Sequence, residues 1–151
     1  MTKKILCPTD GTPHSMLAVA VAAELALKYG AELSICVVNV AHGGGRGPLI
    51  NHWNDEEVAK ILADAAAEAK LAGIASVHTA EVVDREAASG IVGYAETHQI
   101  DHIVMGTARK NSLTRLLEDS VTSAVLEQTP VPVEVIAGAA ISRAERWGLP
   151  L

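Results

Sequence analysis

Short apolar runs alternate along this sequence with longer segments that carry apolar residues at helical spacing. The strand-like runs are residues 5–7, 33–40, 77–83, 103–105 and 133–136, and the helix-like segments are 14–29, 55–71, 86–98 and 113–128. Leu33 to Val40 is almost continuously apolar, which is typical of a strand covered by helices on both faces. The repeated strand–helix order predicts an α/β fold built on a parallel sheet with helices on both sides.

The composition indicates how such helices and strands would pack. The chain has 151 residues, enough for one domain with a sizeable core, and 49% of them are apolar although none is Phe. Much of the apolar content is Ala with Val, Ile and Leu. We therefore expect Ala-rich helices that lie close to a sheet of branched side chains.

Charge and apolar run length exclude several classes of protein. The formal net charge is −6, which disfavours general binding to nucleic acid. No stretch approaches the ~20 apolar residues of a membrane span, and the first residues lack a signal-peptide core. Cys7 and Cys36 lie in apolar runs without a CxxC pair, so we expect buried free thiols in a reducing compartment. These features predict a soluble cytoplasmic protein with no membrane partner.

Two segments that follow strands carry the residues with binding chemistry. In parallel α/β sheets, ligands bind beyond the carboxyl ends of the strands, where the strand order reverses. After the first strand, Asp10 could hydrogen-bond a ribose or an adenine edge, or it could cap the next helix, and this fragment alone favours the cap. After the fourth strand, the segment from Met105 to Val121 combines a glycine turn, hydroxyl groups and a helix start, a pattern typical of an anion-binding cradle.

Other polar clusters are weaker signals. The glycines between Gly43 and Gly47 lack the ending of a phosphate-binding loop, so we interpret residues 41–54 as a mobile connection. His42 and His52 match no metal-site spacing, and the other histidines form no evident nucleophile–base–acid set. We therefore predict no metal site and no catalytic residues.

Three blocks of the chain resemble the universal stress protein family. They occur in the family's order and together cover about residues 3–137: Lys4–Thr12 with Ser15, then Asp101–Thr107, then Ser112–Leu117, Ser120–Val121 and Thr129–Ile136. The resemblance implies a domain at residues 1–137, which leaves residues 138–151 as a C-terminal tail. It also implies a Rossmann-like open parallel sheet of five strands in the order 3-2-1-4-5, assembled as a homodimer through the last strand, Val133 to Ile136. An open edge strand needs pairing or covering, which is compatible with such a dimer.

The ATP-binding branch of that family has the pattern G-x2-G-x9-G-[ST] after the fourth strand. This chain retains Gly106 and Ser120, but Arg109 and Asp119 replace the second and third glycines. A carboxylate beside the phosphate position would repel ATP. Arg109 could fill the phosphate space, bind an anion, or pair with Asp119, and we prefer an internal Arg109–Asp119 ion pair that closes the phosphate side.

The adenosine side of the implied pocket is better preserved. AMP or another adenine-bearing ligand could therefore fit even where a triphosphate is disfavoured. The resemblance implies these binding residues: Pro8, Thr9, Asp10, Val40, Met105, Gly106, Arg109, Ser120 and Val121.

The sequence is compatible with three functions. We prefer a non-catalytic regulatory or stress-response module, dimeric and acting with an unidentified protein partner, in which ordinary ATP binding is disfavoured. The first alternative is an ATP or adenine-nucleotide switch that uses Asp10, Gly106 and Ser120. The second is a small enzyme acting on an adenine-containing metabolite, which ranks last because no catalytic set supports it.

Overall fold

The computed structural model describes residues 2–107 and 120–137. Residues 108–119 and the tail at 138–151 lie outside this range, as does the first part of the helix predicted at 113–128. The elements in chain order are β1 (Lys4–Pro8), α1 (Pro13–Tyr29), β2 (Glu32–Gly43), β3 (Leu49–Asn51), α2 (Asp55–Leu71), β4 (His78–Asp84), α3 (Ala87–Thr97), β5 (His102–Gly106), α4 (Ser120–Gln128) and β6 (Val133–Ile136).

The sheet has the predicted parallel arrangement with one added strand. β2 pairs in parallel with β1 on one side and β4 on the other, β1 pairs with β5, and β5 pairs with β6. The five parallel strands therefore run β4-β2-β1-β5-β6, which is the expected order, and the α/β fold class is confirmed. β3 is a sixth strand that pairs antiparallel with the end of β2, so a five-stranded sheet was an incomplete prediction.

β3 also corrects the interpretation of residues 41–54 as an irregular connection. β2 continues to Gly43, and the glycine-rich segment turns the chain back so that His42 pairs with Ile50. Gly43 has φ 84°, and a Cβ there would lie 2.6 Å from the Pro48 carbonyl oxygen, so the turn requires glycine. Two backbone hydrogen bonds from β2 locate β3 relative to β1. The Cys36 carbonyl accepts from the N–H of Thr9, the residue after β1, and the Val40 carbonyl accepts from the N–H of His52, the residue after β3. Because carbonyls four residues apart on a strand point the same way, β3 lies beyond the carboxyl end of β1.

The helix boundaries follow local signals in the sequence. Pro13 occupies the first turn of α1, where its missing N–H costs nothing, and Gly30 ends the helix at φ 62°. α2 begins with a capping box in which Asn54 accepts from the Glu57 N–H at 2.9 Å while the Glu57 side chain accepts from the Asn54 N–H. Both helix starts lie where the sequence predicted them.

The sheet divides the core into two apolar clusters. One packs α1 and α2 on one face, and five of the seven buried α1 residues are alanines, which allow a close approach to the sheet. The other packs α3 and α4 on the opposite face, around Leu6, Ile91 and Ile103. Alternating side chains of β1 supply both clusters, as expected for a strand buried on both faces.

A buried amide joins β2 to the segment that leads into α2. The Asn39 side chain is 1% exposed; it accepts from the Trp53 N–H and donates to both the Trp53 carbonyl and Glu81 Oε2, each at 2.8–2.9 Å. Asn39 thereby fixes the chain just after β3.

Within the described residues, no helix has the length and apolar character needed to cross a membrane.

Candidate functional site

The loop after β1 is held by hydrogen bonds among small hydroxyl side chains. Thr9 is buried, its Oγ1 lies 2.8 Å from Ser15 Oγ, and it accepts from the Gly11 N–H at 3.2 Å. Gly11 has φ 81°, a conformation that glycine adopts at little cost. These bonds fix the position of Asp10, which lies between the bonded residues.

The Asp10 carboxylate organises the turn without capping the helix. Its Oδ1 accepts from the Thr12 N–H at 3.0 Å and from the Thr12 hydroxyl at 2.5 Å. Thr12 is the residue before α1, so the helical N–H groups receive no side-chain cap, and the predicted capping role of Asp10 is wrong. Both of these hydrogen bonds go to Oδ1.

The pKa of Asp10 is lowered from its ordinary value. Partial burial acts to raise the pKa, but hydrogen bonds from the Thr12 side chain and backbone outweigh that effect, with smaller contributions from Ser15 and His14. Asp10 therefore carries a negative charge at neutral pH.

The end of β5 approaches the start of α1 very closely. A Cβ on Gly106, the last residue of β5, would lie 2.3 Å from the His14 carbonyl oxygen and 3.1 Å from the Ser15 Cα. Glycine at this position is therefore required for packing of β5 against α1.

A cavity of about 160 Å³ opens between the loop after β1 and the end of β5, at the carboxyl edge of the sheet where the strand order reverses. Six of the predicted binding residues line it: Pro8, Thr9, Asp10, Met105, Gly106 and Val121. Val40 does not line it. Arg109 lies outside the described residues, and so does the side chain of Ser120.

Six further residues complete the described wall: His14, Ser15, Val38, Ala87, Ile91 and Thr122. Val38 takes the place expected for Val40, two residues earlier on the same face of β2. Ala87 and Ile91 come from the first turns of α3, which the sequence had given no ligand role. His14 lies close to Asp10 in the sequence, and this proximity was the signal that could have identified it as a lining residue.

The chemistry of this wall suits binding. Val38, Ile91 and Met105 form an apolar surface, while Asp10 and His14 are the titratable side chains among the described lining residues. Across residues 2–107 and 120–137, no group of three His, Cys, Asp or Glu could hold a metal ion. The hydroxyls of Thr9 and Ser15 bond each other, and neither has a histidine as a hydrogen-bond partner. The arrangement offers one carboxylate, one imidazole and an apolar slot.

These features define a doubly wound α/β protein with a cavity at its switch point. A sequence model of the universal stress protein family matches residues 1–137, and the chain belongs to that family. Universal stress protein MJ0531 of Methanocaldococcus jannaschii is 35% identical over 140 residues, which cover 89% of this chain and 81% of the relative.

Solved structures show the same fold. A universal stress protein in complex with cAMP superposes with a TM-score of 0.72 at 22% identity, covering 91% of this chain and 98% of that one. The Archaeoglobus fulgidus universal stress protein in complex with dAMP gives a TM-score of 0.63 at 22% identity, covering 90% and 98%. Protein Rv1636 from Mycobacterium tuberculosis gives 0.59 at 27% identity, covering 91% and 96%.

Proposed function

We propose that this protein is a non-catalytic regulatory module that binds an adenine-bearing ligand in the cavity beside Asp10 and disfavours ATP. The observation that carries the proposal is the cavity itself, which the ionised Asp10 carboxylate lines together with an apolar slot at the switch point of the sheet. The buried free thiols of Cys7 and Cys36 favour a reducing compartment, so we place the protein in the cytoplasm.

The shape and chemistry of the cavity suit a nucleoside. Val38, Ile91 and Met105 offer a surface for a flat ring, and Asp10 Oδ2 can accept from sugar hydroxyls. The volume of about 160 Å³ is below the ~300 Å³ typical of pockets for larger ligands. The described walls therefore suit the ring side of a ligand. Two structural neighbours crystallised with cAMP and dAMP support this choice of ligand class.

Arg109 and Asp119 lie outside the described residues, and it is their chemistry that disfavours ATP. Asp119 replaces a glycine of the ATP-binding pattern with a negative charge. A carboxylate near the phosphates repels them, and an Arg109–Asp119 pair would occupy their place.

The first experiment is mass spectrometry of ligand released from freshly purified protein, followed by calorimetric titration of the stripped protein. Adenosine, AMP, cAMP and ATP are compared, with and without Mg²⁺. Asp10→Ala should weaken binding of adenosine about tenfold or more, since it removes a charged hydrogen-bond acceptor. Asp64→Asn, on the exposed side of α2, is the matched control and should bind as the wild type does. An unchanged affinity in Asp10→Ala would contradict the proposed site.

A double variant tests whether Arg109 and Asp119 disfavour ATP. Replacing Arg109 and Asp119 together by glycine should raise ATP affinity while adenosine affinity stays constant. Micromolar ATP binding by the unmodified protein would instead favour the alternative, an ATP-dependent switch.

We also propose a homodimer through β6. β6 pairs with β5 along one edge, and no described strand pairs with its other edge. The Ile136 carbonyl accepts from Thr107, so the polar backbone groups of Val135, one residue earlier, point to the open side.

Val135→Pro removes an outward N–H without removing a bond to β5, because proline is tolerated on an edge strand. We expect light scattering to show a dimer for the wild type and a monomer for the variant. Thr79→Val, on the opposite edge strand β4, is the control. A wild-type monomer, or a variant that stays dimeric with an unchanged melting temperature, would refute this interface.

A further inference from the structure

A chain of hydrogen bonds links Asp10 to an imidazole that lines the cavity. The Thr12 hydroxyl donates its single proton to Asp10 Oδ1 at 2.5 Å, and Thr12 Oγ1 also lies 3.1 Å from His14 Nε2. Because the hydroxyl proton goes to the carboxylate, the bond to His14 requires Nε2 to be the donor. This places the proton on Nε2 of the neutral ring and leaves Nδ1 as the open position.

His14 Nδ1 has no hydrogen-bond partner among the residues that the structure describes. The His14 side chain is partly exposed, whereas Val38, Ile91 and Met105 form the buried wall. A ligand with its ring against that wall can therefore bring a polar substituent to His14.

The backbone at this place also favours an anion. His14 and Ser15 lie in the first turn of α1, which receives no side-chain cap, and both residues line the cavity. First-turn N–H groups without acceptors carry partial positive charge. The partial positive charge of these N–H groups adds to the charge of a protonated imidazole.

The other groups around His14 have constant charge near neutral pH. Asp10 is the charged side chain on its own loop, and its lowered pKa keeps it ionised. The described wall residues of β2, α3, β5 and α4 carry no ionisable side chain. Residues 108–119 contain Arg, Lys, Glu and Asp but no His or Cys, so none of them titrates ordinarily between about pH 6 and pH 8.

The protonation state of His14 thus sets the charge of the described cavity. When the His14 ring is neutral, the described cavity carries the single negative charge of Asp10, which repels a phosphate. With a proton on Nδ1, the ring balances Asp10 and presents an N–H donor to the ligand.

We propose that His14 is a ligand-binding residue whose imidazolium binds the phosphate of an adenine nucleotide, so that the cavity takes anionic nucleotides more tightly as His14 becomes protonated. This inference rests on the proposed function and adds a specificity residue to that site. A neutral nucleoside should bind with an affinity that does not depend on the charge of His14.

Two probes separate the charge of the protein from the charge of the ligand. The phosphodiester of cAMP keeps one negative charge across the titration range of histidine, whereas AMP gains charge there and would confuse the result. Adenosine is neutral over the same range. Calorimetry with both probes at about pH 5.5 and about pH 8 therefore isolates the protein group.

For the wild type, we expect cAMP to bind about fivefold more tightly, or more, at the lower pH, since two unit charges in contact gain that much even in water. His14→Asn should abolish this pH dependence of cAMP binding, whereas adenosine should bind without pH dependence in both proteins. His78→Asn is the matched control, because His78 begins β4 at the opposite end of the sheet. Circular dichroism confirms that each variant is folded.

The outcomes separate the two proposals. Binding of cAMP with the same pH dependence in the wild type and His14→Asn, or with none in either, overturns the role of His14 and leaves the adenine site standing. Failure of both adenosine and cAMP to bind at either pH overturns the proposed function and this inference with it. Thr12→Val is a second variant, which should reduce the pH dependence because it removes the acceptor that orients the ring.

Discussion

At the scale of single residues, the turn after β1 depends on one carboxylate and one hydroxyl. The Thr12 side chain and backbone both donate to Asp10, and this lowers the pKa of Asp10 against the opposing effect of burial. A carboxyl whose pKa is lower in the folded state than in the unfolded state stabilises the fold above its unfolded pKa. That stabilisation is lost as pH falls through the folded pKa.

Thr12→Val should therefore destabilise the protein more at about pH 7 than at about pH 2.5, where a larger fraction of Asp10 is protonated. At neutral pH we expect the substitution to lower the free energy of unfolding by about 1 kcal/mol, because partial exposure screens the hydrogen bond to the charged carboxylate. Urea unfolding at the two pH values measures it. In an Asp10→Asn background the pH dependence of the Thr12→Val effect should disappear. An equal loss at both pH values in the wild-type background would contradict the assignment.

The residues of the site were predictable where the pattern of the chain was local. Asp10 and its neighbours follow a strand at a turn, so their place at the carboxyl edge could be read from the sequence. Val40 was chosen because it is near the end of the second strand, but Val38 lines the cavity. Which residue of a strand faces a cavity depends on how a neighbouring helix packs, and no local signal carries that information.

At the scale of elements, the junction between β5 and α1 is the tightest contact at the site. Gly106→Ala would bring a Cβ within 2.3 Å of the His14 carbonyl oxygen, so the end of β5 or the first turn of α1 would have to move. We expect a loss of about 1–3 kcal/mol in the free energy of unfolding.

Gly93→Ala is the matched control for that prediction. Gly93 lies in the interior of α3, where an added Cβ meets nothing within 4 Å. Alanine there should stabilise the protein by about 0.5–1 kcal/mol, because it reduces the freedom of the unfolded chain and favours helix. Thermal melts of the two variants should thus shift in opposite directions. A shift of the same sign in both would refute the packing role of Gly106.

Most elements could be predicted because their apolar periods extend over several residues. The parallel strand order came from the family resemblance, and the structure confirms it. β3 could not be predicted, since it has three residues, two of them exposed apolar side chains, and it follows a run of glycines. Its position depends on pairing with β2 and on the Asn39 contacts to Trp53, which join residues 14 apart in sequence.

At the scale of the whole molecule, the sheet separates the two cysteines. Cys7 faces the α1–α2 cluster and Cys36 the α3–α4 cluster, so no disulfide can join them without moving a strand. Burial raises the pKa of Cys36 to about 12, and burial together with the nearby Cys36 raises the pKa of Cys7 further.

Neither thiol should react with a disulfide reagent in the native protein, because thiolate is the reactive form and both sulfurs are buried. We expect both to react after unfolding in guanidinium, as followed by absorbance. Rapid labelling of the folded protein would contradict this prediction and would indicate that one face of the sheet opens readily.

The same separation keeps the cavity apart from the alanine-rich half of the core. The cavity takes apolar wall residues from the α3–α4 cluster, whereas none of the described residues of the α1–α2 cluster lines it. Changes far apart and without shared contacts have effects that add. Adaptation to heat can therefore proceed through the alanine-rich face without altering the cavity, so this protein can avoid much of the usual compromise between stability and the proposed ligand binding.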